Sequence, residues 1–180
     1  MEKKDIRKQV FRQRNEITAE KIREDSHLIC QKIIQMDGFK EAGCLYAYMD
    51  SKGEVCTEEL IREAWKQGKR VAVPKVVGKN IEFYYIHNFK DVAPGYWDIP
   101  EPVSGESANE EEAILIVPGV AFDAERHRCG YGKGFYDRYL SAHNRHVTIG
   151  IAFDFQIVRQ VPCDAHDVLP MQVVTPTVIY

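Results

Sequence analysis

Three glycines stand at alternate positions, Gly130, Gly132 and Gly134, with Lys133 between the last two. Glycines at that spacing let the backbone approach an anion closely and turn several N–H groups toward it, and a lysine adds a movable positive charge. The residues that follow, Phe135 to Leu140, carry helical periodicity, so the loop is expected to open a helix whose N-terminus adds partial positive charge. In outline this is a phosphate cradle. Asp137 falls in the first turn of that helix, where a carboxylate can hold magnesium against bound phosphates. The spacing matches neither G-x-x-x-x-G-K-[ST] nor G-x-G-x-x-G. Alone, it reads as readily as a tight loop with a solvent-facing lysine. Its company favours the cradle: Arg126, Arg128, Lys133 and Arg138 gather on one loop and its helix, with Asp123 and Asp137 among them.

A cradle needs a strand end to hang from. Ile114 to Val117 is a short apolar run that stops at Pro118-Gly119, the pattern of a buried strand entering a loop. Cys44 to Met49 has the same character and ends in the polar loop Asp50-Ser-Lys-Gly-Glu54. Arg70 to Val76, Ile81 to Ile86 and Val147 to Phe153 also read as strands, and the closing VVTPTVIY as an edge strand demoted by Pro176. Between them fall helical segments. Thr18 is set to cap a helix with Ile22, Ser26, Ile29 and Ile33 on one face, stopped at Gly38; Thr57 to Gly68 turns Leu60, Ile61, Ala64 and Trp65 to one side. This alternation predicts one α/β domain over residues 1–180, with a largely parallel central sheet, helices on both faces and a Gly-rich phosphate loop. In such sheets ligands bind beyond the carboxyl ends of the strands, so the loops after Met49 and Val117 are expected to share a crevice. Residues 87–112 form the longest irregular stretch, and a long loop in a compact domain is more often functional than idle.

Composition narrows the function classes. A formal charge of −3 argues against a general nucleic-acid binder. No apolar run approaches the length that spans a bilayer, so a cytoplasmic location is the default. Cys30, Cys44, Cys56, Cys129 and Cys163 are scattered, odd in number and without a C-x-x-C pair, as reduced thiols would be. His127, His143 and His146 lack the partners of a zinc site and are expected at the surface. Residues 1–14 carry six basic side chains against two acids, and Ile6 and Val10, four apart, give that helix a face to pack. Lys75, beside a strand end, is a further lysine within reach of a phosphate, though a lone lysine is usually surface charge.

The run PGVAFD, then Arg128, then GYGKGFYDRYL resembles the signature of the 5-formyltetrahydrofolate cyclo-ligase family, P-G-x-A-F-D followed by R-L-G-x-G-x-G-Y-Y-D-R. Cys129 replaces a leucine and Phe135 a tyrosine, both keeping apolar bulk, while Arg126 stands where glycine is common and positive φ comes cheaply. The resemblance implies ATP-dependent cyclisation of 5-formyltetrahydrofolate with ATP and magnesium; a monomer is expected, although nothing in the sequence reveals the oligomeric state. It implies ATP binding by Lys3, Lys4, Arg7, Arg128, Gly130, Tyr131, Gly132, Lys133, Gly134, Phe135 and Tyr136, with Lys133 and Arg128 at the chemistry. By the same resemblance Met49, Glu54, Tyr96 and Trp97 contact the folate, and Asp137 and Asp167 are magnesium ligands. The catalysis it implies needs no protein nucleophile, so Cys129 is incidental, even if an electropositive loop lowers its pKa. Two other readings keep the anion site: an ATP-dependent kinase or ligase for another small anionic metabolite, and a sensor that binds a phosphate ligand without chemistry.

Overall fold

From the N-terminus the chain runs through helices α1 (Lys3–Glu16), α2 (Ala19–Gln35) and the short α3 (Asp37–Glu41) to strand β1 (Cys44–Tyr46) and helix α4 (Glu58–Lys66). Strands β2 (Arg70–Val77) and β3 (Asn80–Ile86) follow, then a hairpin of β4 (Val92–Pro94) and β5 (Pro100–Pro102), and strand β6 (Ile114–Val117). A second hairpin, β7 (Ala121–Phe122) with β8 (Arg128–Cys129), leads into helix α5 (Phe135–Ala142), β9 (Val147–Ile151) and β10 (Gln172–Val174). The computed structural model describes residues 1–51 and 53–180; Lys52, in the loop expected after Met49, lies outside the described residues.

The central sheet has the strand order β10-β9-β6-β1-β2-β3, parallel throughout except for β3, which pairs antiparallel with β2. Alternation along the strands divides the core between its faces. Leu45, Val71, Ile114, Ile116 and Ile149 meet α2 and α4 through Ile29, Ile33, Leu60 and Ile61. Tyr46, Ala72, Phe83, Leu115 and Val117 face α5 through Leu140, Tyr136 and Tyr139. Helices thus cover both faces. Pro74 is tolerated inside β2 because β1 pairs only with Arg70 to Ala72, leaving no partner there for the N–H that proline lacks. The outer edges are covered as well: residues 106–108 bond along β3, and Val173 and Tyr180 exchange backbone bonds of 3.1 and 2.8 Å beside β10.

Thr18 caps α2 as expected, its Oγ1 accepting from Lys21 N at 3.1 Å. The two faces of α1 separate as predicted, with Ile6 and Val10 buried against Val120, Ala121, Cys129 and Val161. Other expectations fail. Helix α2 ends at Gln35, and Gly38 lies within α3. The stretch 87–112 is not irregular throughout: its prolines lie at the strand ends of the β4–β5 hairpin, where two short strands need few ladder bonds. His146 is buried rather than at the surface, its Nδ1 3.2 Å from Ala113 O and its Nε2 3.2 Å from Tyr139 Oη. Burial pushes its imidazole pKa down. Among the described residues no helix is long and apolar enough to cross a membrane.

Arg126 adopts φ 69° in the turn between β7 and β8, keeping the left-handed conformation that suits glycine despite its side chain, and its Nη1 donates to Met171 O at 3.0 Å. The backbone strain costs about 1–2 kcal/mol, against about 0.5–1 kcal/mol of unfolded-state entropy if glycine is introduced. Arg126→Gly is therefore expected to leave stability unchanged or raise it by up to about 1 kcal/mol, whereas Arg126→Ala keeps the strain, loses the bond and lowers it. Urea denaturation of the two variants gives the order; an alanine variant as stable as the glycine variant would contradict it.

Candidate active site

Beyond the carboxyl ends of β1, β2 and β6 lies a cavity of about 860 Å³, a size typical of small-molecule sites. One wall is the inner face of α1, carrying Lys3, Arg7, Phe11 and Arg14 at helical spacing. The loop after β1 supplies Met49, Ser51 and Glu54; β2 supplies Pro74 and Val76; the tip of the β4–β5 hairpin supplies Tyr96 and Trp97. An adjoining wall, bonded to α1 through Arg7 and Gly130 O, is Arg128, the loop Gly130–Gly134 and the start of α5, with Asp164 and Asp167 beside Lys3. The structure therefore brings together every site residue expected from the sequence except Lys4, which is exposed on the outer side of α1. Lys75 is likewise outside the lining, since its neighbours Pro74 and Val76 take the cavity side of the strand.

The glycine loop owes its shape to two left-handed residues, Gly132 at φ 95° and Gly134 at φ 67°, the second serving as N-cap of α5. Side chains there would strain the backbone. Arg7 Nε donates to Gly130 O at 2.7 Å and ties the loop to α1. Arg128, only 7% exposed, donates through Nη1 to Pro118 O at 3.2 Å and through Nη2 to Asp137 Oδ1 at 2.7 Å. Lys3 reaches across to Asp164 at 2.9 Å and Asp167 at 2.5 Å. Burial opposes the charge on Asp167, but the Asp164 N–H and the Lys3 ammonium prevail and hold its pKa below the ordinary value. Among the described residues Lys133 has no carboxylate within ion-pair distance; its Nζ sits 5.8 Å over the Trp97 ring.

The remaining wall is less charged. Tyr96 and Trp97 stack at 5.1 Å with their planes 23° apart, and Tyr96 meets Phe135 edge-on. Trp97 and Asp98 both have positive φ, 58° and 59°, so the hairpin tip is a strained turn presenting its aromatics to the opening. Glu101 Oε1 accepts from Val76 N at 3.0 Å and fastens the hairpin to β2. Glu54 is partly buried: Tyr131 donates its hydroxyl to Oε1, Ser51 N donates to Oε2 at 3.0 Å, and Arg14 Nη1 donates to the Tyr131 oxygen at 2.7 Å. Burial pushes the Glu54 pKa up against these donors.

Not every charge gathered near the loop serves the cavity. Arg126 turns outward to Met171 O, and Arg138, outside the cavity lining, ties Lys133 O of the glycine loop at 2.9 Å to Lys79 O and Asn80. Asp123 is buried and structural, accepting from Glu125 N, His127 N and Val161 N at 2.9–3.0 Å. Cys129 does not have the lowered pKa expected of an electropositive loop; burial pushes it up. Sequence reasoning missed Arg14, Asp164 and Glu101. Only Arg14 had a usable signal, since Lys3, Arg7 and Arg14 follow one helical stripe.

The model of the 5-formyltetrahydrofolate cyclo-ligase family matches residues 1–176. The chain is 35% identical over 169 residues to a probable 5-formyltetrahydrofolate cyclo-ligase of Schizosaccharomyces pombe, covering 82% of each chain. It is 29% identical to 5-formyltetrahydrofolate cyclo-ligase of Escherichia coli, over 95% of this chain and 98% of the relative. The solved structure of Aquifex aeolicus 5,10-methenyltetrahydrofolate synthetase superposes with a TM-score of 0.88 at 35% identity, covering 99% of this chain and 92% of that one.

The Arg128–Asp137 pair gives this site a measurable stake in the fold. Asp137→Ala leaves a nearly buried guanidinium with a single protein acceptor, a loss of about 3 kcal/mol. Guanidinium chloride denaturation without nucleotide or divalent ions reads it directly, and an unchanged midpoint would mean that water replaces the carboxylate.

Proposed function

We propose, from the premise that this chain belongs to the 5-formyltetrahydrofolate cyclo-ligase family, how its cavity carries out the ATP-dependent cyclisation of 5-formyltetrahydrofolate to 5,10-methenyltetrahydrofolate with release of ADP and phosphate. The observation that carries the reading is one cavity with two kinds of lining. Basic side chains and a glycine loop share it with a partly buried carboxylate and a stacked aromatic pair, which meet where Lys133 Nζ lies 5.8 Å over the Trp97 ring.

The chemistry asks for both kinds at once. A formamide carbonyl is a weak electrophile and its oxygen a poor leaving group. The formyl oxygen attacks the γ-phosphorus of ATP, the bond to the β-phosphate oxygen breaks, and ADP departs. N10 then attacks the formyl carbon of the N5-iminium phosphate, phosphate leaves with the carbon–oxygen bonding pair, and the N10 proton passes to solvent. Such a transfer needs positioning and charge neutralisation more than covalent help from the protein. Lys133 and Arg128 neutralise the transferred phosphoryl group, and Lys3, Arg7 and the N–H groups of residues 130–136 hold the remaining phosphates; Lys4 adds only longer-range charge. Glu54 accepts paired N–H bonds from the aminopyrimidinone ring, Met49 packs on its face, and Tyr96 and Trp97 stack on the rest of the folate.

Magnesium would supply charge neutralisation on the phosphates. The residues fit it: Asp137 Oδ2 and Asp167 Oδ1 accept no hydrogen bond from the described residues, and magnesium is commonly held by one or two carboxylates with waters and phosphates. We propose further that the enzyme acts as a monomer in the cytoplasm.

The direct test follows methenyl product by its near-ultraviolet absorbance with 5-formyltetrahydrofolate and magnesium, with and without ATP. Product is expected only with ATP. Lys133→Ala should lower kcat/KM for ATP about a hundredfold while the folate dissociation constant changes by less than about threefold. Equal loss of both would show that the glycine loop is not the nucleotide side.

A further inference from the structure

Arg14 is nearly buried in helix α1, yet among the described residues it has no carboxylate within ion-pair distance, and its Nε is without a partner. A buried arginine kept only for stability would be expected to pair directly with an acid. Instead its Nη1 donates to the Tyr131 hydroxyl at 2.7 Å. A guanidinium can only donate, so the hydroxyl is the acceptor there and its single proton is directed to Glu54 Oε1. Ser51 N holds the other oxygen, Oε2, at 3.0 Å. Both carboxylate oxygens are thereby fixed, and each retains a lone pair for a ligand. The arginine stem also lies beneath the loop that carries Glu54: a Cβ built on Gly53 would stand 3.0 Å from Arg14 Cγ. The three residues lie in three separate elements, 117 and 77 positions apart along the chain.

We propose that Arg14 and Tyr131 are positioning residues for folate recognition, holding the Glu54 carboxylate oriented and ionised while leaving its free lone pairs to the pyrimidine N–H groups. This rests on Glu54 being the folate carboxylate. It moves Tyr131, which stands between two glycines of the phosphate loop, to the folate side of the cavity, and gives Arg14 a part in specificity. A direct Arg14–Glu54 pair would occupy the acceptor sites that the substrate needs. Relaying the charge through a phenol leaves them open.

The electrostatics agree with the geometry. Burial raises the Glu54 pKa, Asp50 adds repulsion, and the Tyr131 hydroxyl, the Ser51 N–H and Arg14 work against both. Tyr48, whose hydroxyl donates to Val55 O at 2.7 Å, and Tyr136 lie near enough for this carboxylate to raise their own pKa values, behind the burial that dominates both. Removing the Tyr131 donor or the Arg14 charge must raise the Glu54 pKa further, so the acid limb of folate binding moves to higher pH.

The test compares Tyr131→Phe, Arg14→Met and Arg14→Lys with Glu54→Gln in the whole enzyme, measuring KM for each substrate and kcat/KM for folate against pH. Tyr131→Phe and Arg14→Met are each expected to raise KM for 5-formyltetrahydrofolate about tenfold. KM for ATP should stay within about twofold, and the acid limb should shift to higher pH. Arg14→Lys recovers part of the loss by keeping the charge, which a purely structural defect would not predict. Glu54→Gln should weaken folate and abolish that limb. If it does neither, the Glu54 reading fails and the positioning role falls with it. If Glu54→Gln weakens folate but neither Tyr131→Phe nor Arg14→Met moves folate KM or the limb, the positioning role alone is overturned. A rise confined to KM for ATP in Tyr131→Phe also overturns it.

Discussion

One guanidinium, held almost without water, sets the geometry around which the cavity is built. Arg128 reaches from β8 to the carbonyl at the end of β6 and to the first turn of α5. It therefore binds together the central sheet, the β7–β8 hairpin and the helix that follows the glycine loop. A charge so placed tolerates little movement, because withdrawing either acceptor leaves an uncompensated ion in low dielectric. Its stem restricts the neighbouring sequence too. A side chain at Gly119 would meet Arg128 Cγ at 3.3 Å and the Phe122 ring at 2.6 Å, so the turn after β6 has room only for glycine.

The same economy of charge runs through the cavity. Lys3 and Arg128 are each balanced by a carboxylate that also lies in the lining. In the proposed reaction the arrival of a polyphosphate exchanges these two internal partners for external ones. Part of the binding energy is then used to rearrange the pairs, which favours ligands that satisfy several groups at once. Lys133 differs. Resting over an indole face rather than against an acid, it is the cation most easily redirected toward a transferred group.

Local physics made much of this legible in the linear chain. Four apolar residues before Pro118-Gly119 can hardly be other than a buried strand, and β6 occupies the run Ile114–Val117. Four-residue spacing disclosed the packed face of α1, and a hydroxyl before a helical run disclosed the cap at Thr18. The glycine spacing pointed to a chain held close to something, and most residues taken from the family signature line the cavity. What escaped was non-local. No spacing tells that Arg14 and Tyr131 touch, or that His146 will be enclosed by Tyr139 and the carbonyl of Ala113. The β4–β5 hairpin was hidden because proline, a strand breaker by propensity, is admitted where a ribbon has only two strands. The placement of Arg126 and Arg138 outside the cavity lining depended on carbonyls that happen to lie within reach, which is a property of the folded surface.

The packing of α1 has a bearing on how the chain is made. This helix is synthesised well before its partners, because the residues that bury Ile6 and Val10 lie between Val120 and Val161. At ordinary rates of elongation those partners follow on the order of ten seconds later. For that interval an amphipathic helix waits on the ribosome with its apolar stripe uncovered, while α2, α4 and the early strands can already gather around one another. Its docking is thus a late event, and the walls of the cavity that it supplies are among the last parts of the nascent protein to come into being.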